Sequence, residues 1–257
     1  MWWWIERLPI VDAPFLADLP RAGPAPIGAG WVARGASGPP RRLPEGGLLP
    51  ELSTRGPALA ALDPELRALY EDTARFSVPV RPRWAILARW GRIAWVWGFA
   101  RRWGQLELPT RADPALSNEI YEVDGARVWV RRYLDPAGQP TERVLYVARF
   151  DSVTVPLEPD PCVRIALPVA GGLWVAIFRA QRSRGRLVLT EAGGSPGGPG
   201  LYLVPDGGAP RYLRAFREEL ELSVVEGGLA AEHRFSLLGW RLLTLSYAIR
   251  GPESVAR

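Results

Sequence analysis

The chain has 257 residues, of which 47% are hydrophobic, and its formal net charge is +5. It holds one cysteine, Cys162, and one histidine, His233, which excludes a disulfide within the chain, a thiolate metal cluster and a site with several histidines. All 32 basic residues are arginine, which excludes lysine Schiff-base chemistry and the lysine of a phosphate-binding loop. We therefore predict no metal and no cofactor.

The first part of the chain, residues 1–57, is rich in proline and glycine and has no helical or strand period. Such a segment offers little apolar surface to offset its ordering entropy, so we predict a mostly irregular tail. Its opening residues, Met1–Arg7, have only a short apolar run and no basic region before it, unlike a secretory signal. No uncharged apolar stretch is long enough to span a bilayer, and we expect a cytoplasmic protein.

A helix is predicted to begin at Asp63-Pro64 and to end before Val78. Asp63 can cap it, and Pro64 suits its first turn because that position needs no backbone N–H donor. Apolar residues then recur at helical spacing, as Leu62, Leu66, Leu69 and Tyr70.

The segment from Trp84 to Trp103 is the most unusual in the chain, because tryptophan and arginine alternate with small apolar residues. As a helix it would place Trp90 and Trp97 on one apolar face. We favour a core helix whose arginine head groups reach water. Two alternatives stay open: an anionic membrane surface and, more weakly, a nucleic acid. The membrane alternative would use four residues, Trp95, Arg101, Arg102 and Trp103.

From about residue 117 the pattern changes to strict alternation, which predicts strands. Hairpins are indicated around Asp124-Gly125, around Ala170–Gly172 and around Gly239. Further strands are predicted over 143–150, 186–190 and 201–204. Residues 211–225 fit either a helix or a long strand, and a strand is favoured in their C-terminal half. Because no helices are interleaved, the fold class is α+β: N-terminal helices followed by a large antiparallel meander, either a curved sheet or a barrel. We assign it to one domain over residues 58–250, followed by a tail over 251–257.

The sequence offers two arrangements of nucleophiles, and neither is the favoured interpretation. Gly193–Gly197 matches a nucleophile elbow around Ser195, and Asp206 and His233 follow in hydrolase order. The glycines and prolines after Ser195 start a helix poorly, so a hairpin loop is favoured. Cys162 with His233 is less favoured than a buried, unreactive cysteine. We predict no catalytic residue.

A third candidate is a pair of carboxylates. Glu218, Glu219 and Glu221 lie among Arg211, Arg214 and Arg217. Two carboxylates facing one cavity can hydrolyse glycosides, but a surface ion-pair ladder is the favoured interpretation.

Several short motifs resemble those of an uncharacterised bacterial protein family, a domain of unknown function, over about residues 65–250. They are Tyr70–Phe76, Trp84, Arg101–Pro109, Cys162–Pro168 and Arg211–Glu218. The resemblance implies a coherent fold and transfers no catalytic residue.

The function that we predict is a non-enzymatic binding domain for an apolar or amphiphilic small molecule. Alternating strands over a covered interior make a cavity, in which arginine would orient an anionic head group. The candidate ligand-binding residues are Trp84, Trp90, Trp97, Arg164 and Arg214. A peripheral membrane protein and a hydrolase are the alternatives.

Overall fold

The computed structural model describes most of the chain, namely residues 5–24, 27–34, 38–50, 56–85, 100, 104–109, 114–156 and 158–252. Within these residues the protein is mostly β, with a minor α part. The helices are α1 (Trp31–Arg34), α2 (Pro57–Ala60) and α3 (Pro64–Glu71). The predicted helix at Asp63-Pro64 is thus confirmed as α3, with Pro64 in its first turn.

The described residues form fourteen strands in one hydrogen-bonded sheet, and every pair of neighbouring strands is antiparallel. The strands are β1 (Ile5–Arg7), β2 (Arg41–Leu43), β3 (Val80–Trp84), β4 (Glu119–Val123), β5 (Ala126–Leu134), β6 (Pro140–Val153), β7 (Cys162–Val169), β8 (Gly172–Ser183), β9 (Arg186–Thr190), β10 (Gly200–Pro205), β11 (Arg211–Leu213), β12 (Phe216–Val225), β13 (Gly228–Leu237) and β14 (Trp240–Ile249).

The sheet divides at the long strand β8. The first half of β8 lies between β7 and β10, whereas its second half pairs with β9. One arm therefore continues through β9, β12, β13 and β14 to β3, and a side branch continues through β10 and β11 to β1. The barrel alternative is wrong, because β2 and β3 end the order and pair with β4 and β14 rather than with each other.

The three predicted hairpins are confirmed as β4–β5, β7–β8 and β13–β14. Their turns were predictable because they are local: Asp124 and Gly125 both have positive φ, as a two-residue turn of this kind requires. Trp84, by contrast, ends a strand and does not begin a helix, since β3 pairs with β14. Residues 86–99 and 101–103 of the predicted helix lie outside the described residues.

The main core lies on the inner face of the sheet, where α2 and α3 cover it. Leu66 and Leu69 of α3 join the same cluster as Phe178 of β8 and Leu222 of β12. Burying each such side chain contributes about 1.5–3 kcal/mol.

The N-terminal residues cover the opposite face of the same sheet. Phe15, Leu16 and Trp31 are buried against Val175 and Tyr202. β1 pairs with β11 and β2 pairs with β4, so both short strands extend the sheet. The segment has little regular structure, but its apolar side chains are part of a core.

Candidate functional site

A cavity of about 220 Å³ lies where the chain before β3 passes β5. Six of the eight lining residues have apolar side chains and the other two are Ser77 and Arg131, but the surface that the cavity exposes is more polar than apolar. The lining residues are Ser77, Val78, Pro79, Pro114, Ala115, Leu116, Arg131 and Leu134. Isolated bridges hold its walls in place, from Ser77 to Arg250 and from Leu116 to Tyr133.

Arg131 gives the cavity its charge. Its side chain is 1% exposed, and its Nη2 donates a hydrogen bond to the backbone carbonyl of Val78. Its Nε and Nη1 are buried and make no hydrogen bond of good geometry to a described residue, although the Tyr146 hydroxyl lies close enough to interact with the guanidinium. Nor does any carboxylate of the described residues form an ion pair with Arg131. A buried guanidinium of this kind is costly unless another group accepts its hydrogen bonds and balances its charge.

Aromatic rings supply part of the compensation. The guanidinium carbon of Arg131 lies 5.1 Å from the ring centroid of Trp129 and 5.9 Å from that of Tyr146. Cation–π contacts of this kind stabilise a cation by about 0.5–2 kcal/mol. Burial also raises the pKa of Tyr247 to about 12 and that of Tyr146 well above its usual range, so both phenols are neutral at pH 7. Neither can therefore balance the charge of Arg131.

The next residue, Arg132, shows what full pairing looks like in the same strand. Its Nε and Nη2 each donate a hydrogen bond of 2.8 Å to the carboxylate of Glu119, which is 2% exposed. Tyr121 also donates to this carboxylate. Arg132 lines a second cavity of about 220 Å³, near Val32 and Pro40. Its charge there is already balanced, so this cavity is a weaker candidate for an anion.

A buried acidic cluster lies elsewhere on the inner face. His233 Nε2 is 2.6 Å from Glu218 Oε1, and the backbone N–H of Glu218 donates to Glu191 Oε1 at 3.0 Å. Burial, joined by the charge of Glu218, raises the pKa of Glu191. Among the described residues no group of three or more acidic, histidine or cysteine side chains is arranged to hold a metal ion.

Because folding raises the pKa of Glu191, we expect the contribution of Glu191 to stability to depend on pH. A carboxyl whose pKa is raised by folding favours the folded state at low pH and loses that contribution as pH rises through its folded pKa. Glu191→Gln keeps the acceptor oxygen without the charge, so we expect it to be more stable than the wild type at pH 7. The gain should shrink towards pH 4, where Glu191 is itself protonated. Urea unfolding at both pH values measures this.

The matched control is Glu219→Gln, because Glu219 lies on the outer face and pairs with Arg234 at 2.8 Å. It should bring no gain at pH 7. An equal gain for Glu191→Gln at both pH values would contradict an electrostatic cause.

Of the predicted ligand-binding residues, the structure describes Trp84, Arg164 and Arg214, and these three lie in different parts of the sheet. Trp84 lies in β3 opposite Leu243 of β14. Arg214 is half-exposed and pairs with Glu6 of β1. Trp90 and Trp97 lie outside the described residues, as do all four residues of the membrane alternative, Trp95, Arg101, Arg102 and Trp103.

Arg164 is buried, but its guanidinium is fully engaged. All five of its N–H groups have acceptors: Asp151 takes two, Asp18 takes two and the backbone carbonyl of Phe15 takes one. No donor remains for a ligand. Arg164 instead joins β7 to the N-terminal segment.

The catalytic arrangements that were set aside are not assembled either. Asp206 accepts hydrogen bonds from the backbone N–H groups of Ala22 and Gly23, and His233 is engaged with Glu218. Cys162 is buried, and burial raises the pKa of its thiol to about 11, so it is a poor nucleophile at pH 7. Ser195 lies in the loop between β9 and β10, but this is not the predicted hairpin loop, because β9 and β10 pair with other strands and not with each other.

The carboxylates behave differently from one another. Glu219 and Glu221 do form an outer-face ladder, with Arg234 and Arg186 rather than with the arginines near them in sequence. Glu218 points to the inner face instead, where it meets His233.

Sequence reasoning missed Arg131, although a signal was present. In the alternating run of β5 it occupies the same face as Trp129 and Tyr133, which are both buried. A charged residue on the buried face of a strand, between large aromatic residues, indicates a buried polar group that needs a partner.

No helix of the described residues is long and apolar enough to cross a membrane. By its fold, the protein belongs to the mainly β class with an open, branched antiparallel sheet. Comparison with family models, curated proteins and solved structures finds no match. The resemblance to an uncharacterised bacterial family therefore stays a prediction.

Proposed function

We propose that the protein binds a small organic acid, apolar apart from its carboxylate, in the cavity at Arg131. The observation that carries this proposal is the buried Arg131 guanidinium, with two N–H groups that make no hydrogen bond of good geometry to a described residue. A carboxylate balances the charge of a guanidinium, and its oxygen is a strong acceptor for an N–H group such as Nε or Nη1, which makes a carboxylate a natural partner for Arg131. Val78, Leu116 and Leu134 would then contact the apolar part of the acid.

The size of the cavity limits the ligand. Its volume of about 220 Å³ is below the roughly 300–1,000 Å³ of pockets for drug-sized ligands. It equals about seven times the ~30 Å³ that one water molecule occupies in the liquid. We therefore propose a short-chain acid and not a long fatty acid or a nucleotide.

The proposal is one of binding and not of catalysis. The polar side chains that line the cavity in the described residues are Arg131 and Ser77. Arginine is not deprotonated in proteins, and a serine hydroxyl needs an adjacent base before it can attack a substrate. These groups can hold and orient an anion.

A thermal-shift series tests the proposal. Straight-chain monocarboxylic acids of two to eight carbons, as sodium salts at equal ionic strength, are compared with the alcohols of the same length. Because a ligand stabilises the fold by RT ln(1 + [L]/Kd), an acid at about 100 times its Kd adds about 2.7 kcal/mol. We expect the melting temperature to rise for short acids, to fall back once the chain exceeds the cavity, and to stay constant for the alcohols. Equal shifts for acid and alcohol, or no shift for any acid, would refute the site.

A further inference from the structure

The hairpin turn between β13 and β14 presents two large apolar side chains to solvent. Leu238 is 54% exposed and Trp240 is 69% exposed, and the turn continues into the exposed Arg241. We name Leu238–Arg241 the hairpin tip. Isolated exposed apolar residues are ordinary, but two of them close together on a protruding turn are typical of an interaction surface.

Of the two exposed apolar residues, Leu238 is the more unusual, because its backbone conformation is unfavourable for leucine. Leu238 has φ of 53° and Gly239 has φ of 82°, so both turn residues are left-handed. Two other two-residue turns of the sheet use the same conformation with a polar residue first, Asp124 in one and Arg184 in the other. Leucine in this conformation is unfavourable, since its side chain crowds the backbone and forms none of the local hydrogen bonds that aspartate can. Leu238 is thus a largely exposed apolar residue in a conformation that does not favour it, which suits a contact outside the fold.

Arginine side chains lie beside the hairpin tip. Arg217 of β12 and Arg241 of β14 are both opposite Ser236 of β13, so they flank it on one face. The carboxylate nearest to Arg217 is that of Glu191, which is buried and 3.9 Å from Nε. No ion pair to Arg241 exists among the described residues. This end of the sheet therefore carries surplus positive charge.

We propose that the hairpin tip binds an anionic lipid surface. Leu238 enters the boundary between head groups and acyl chains, Trp240 lies at the level of the head groups, and Arg217 and Arg241 contact lipid phosphates. The occupant follows from shape and charge. Two apolar side chains on a narrow turn offer far less than the ~800 Å² that each partner contributes to a stable protein interface, whereas binding to a bilayer surface combines a small apolar area with attraction between basic side chains and anionic lipid. This inference does not depend on the cavity at Arg131.

Vesicle sedimentation tests the proposal directly. The full chain is mixed with phosphatidylcholine vesicles or with vesicles of phosphatidylcholine and phosphatidylglycerol at 3:1. We expect it to sediment with the anionic vesicles at low salt, to dissociate as salt is raised, and to stay in solution with pure phosphatidylcholine. Arg217→Gln and Arg241→Gln should each lower partitioning about fivefold, and the double variant about thirtyfold, at roughly 1 kcal/mol per basic side chain.

The decisive variant is Leu238→Asn combined with Trp240→Ser. Asparagine suits the turn, so the variant should melt no lower than the wild type while its vesicle binding is lost. Its matched control is Val224→Ser with Val225→Ser, which removes two exposed apolar side chains from the opposite end of β12 and should bind as the wild type does.

Three outcomes would overturn the proposal. The first is a wild type that does not sediment with anionic vesicles, and the second is a wild type that binds both vesicle types equally. The third is a Leu238/Trp240 variant that retains binding, which would place the contact elsewhere in the chain, for example in the segment 84–103.

Discussion

Replacing Arg131 with methionine should remove acid binding and leave the free energy of unfolding of the ligand-free protein almost unchanged. Truncating one partner of a buried, hydrogen-bonded charge pair costs about 2–5 kcal/mol of binding, which corresponds to an affinity loss of about 30- to 5,000-fold. Methionine has a similar length and no charge, so it fills the same space between Trp129 and Tyr146.

Stability should change little because large effects oppose each other. The variant loses the hydrogen bond to Val78, worth about 1.5–3 kcal/mol for a charged donor, and two cation–π contacts, with Trp129 and with Tyr146. It also removes two buried N–H donors, which cost about 1–3 kcal/mol each when nothing accepts from them. We therefore expect a net change within about 1 kcal/mol. Isothermal titration with the acid that gives the largest thermal shift, together with urea unfolding of the ligand-free protein, measures both quantities.

The matched control for this variant is Arg143→Met. Arg143 is also an arginine against an aromatic ring, with its guanidinium 4.6 Å from the centroid of Tyr133, but it is exposed and pairs with Glu107. It should keep the affinity of the wild type. If Arg131→Met bound the acid as tightly as Arg143→Met does, the cavity at Arg131 would not be the binding site. A loss of stability of several kcal/mol would instead make Arg131 a structural residue.

The parts of the fold that could be predicted are those that depend on neighbours in sequence. The turns at Asp124-Gly125 and Gly239 fix their hairpins because positive φ is a local requirement. The alternation along 211–225 likewise predicts a strand in its C-terminal half, which is confirmed by β12.

The parts that failed depend on distant residues. β9 and β10 flank a Gly-Pro loop, but β10 pairs with β8 and β11, while β9 pairs with β8 and β12. Nothing in the loop shows that β8 divides between two partners along its length, because that division is a property of the whole sheet. The barrel alternative failed for the same reason.

The candidate site was hidden by a similar limitation. In the sequence, Arg131 and its neighbour Arg132 look alike. Only tertiary packing brings a buried carboxylate to Arg132 and none to Arg131. Arg164 and Arg214 were predicted as ligand-binding residues, but carboxylates of the N-terminal segment, Asp18 and Glu6, contact them in the structure. No sequence pattern shows that a Pro/Gly-rich segment would supply those carboxylates.

The same contacts predict a large loss of stability for Arg164→Met. Arg164 is 2% exposed, and its removal leaves Asp151 mostly buried without its principal cation. Breaking a buried ion pair in this way costs about 3–5 kcal/mol. It also frees Asp18 and the carbonyl of Phe15, so the N-terminal segment should separate from the sheet more readily. Urea unfolding measures the first effect, and the rate of proteolytic cleavage before residue 34 measures the second.

Arg214→Met is the natural comparison, because Arg214 also joins the sheet to the N-terminal segment. Its partner Glu6 is 2.6 Å away, but both side chains are about half-exposed, and exposed ion pairs contribute only about 0–1 kcal/mol. We expect Arg214→Met to unfold almost as the wild type does and to resist protease. Similar losses for the two variants would mean that burial does not set the strength of these contacts. Cleavage that stays slow in Arg164→Met would mean that the apolar side chains Phe15, Leu16 and Trp31 hold the segment without the ion pair.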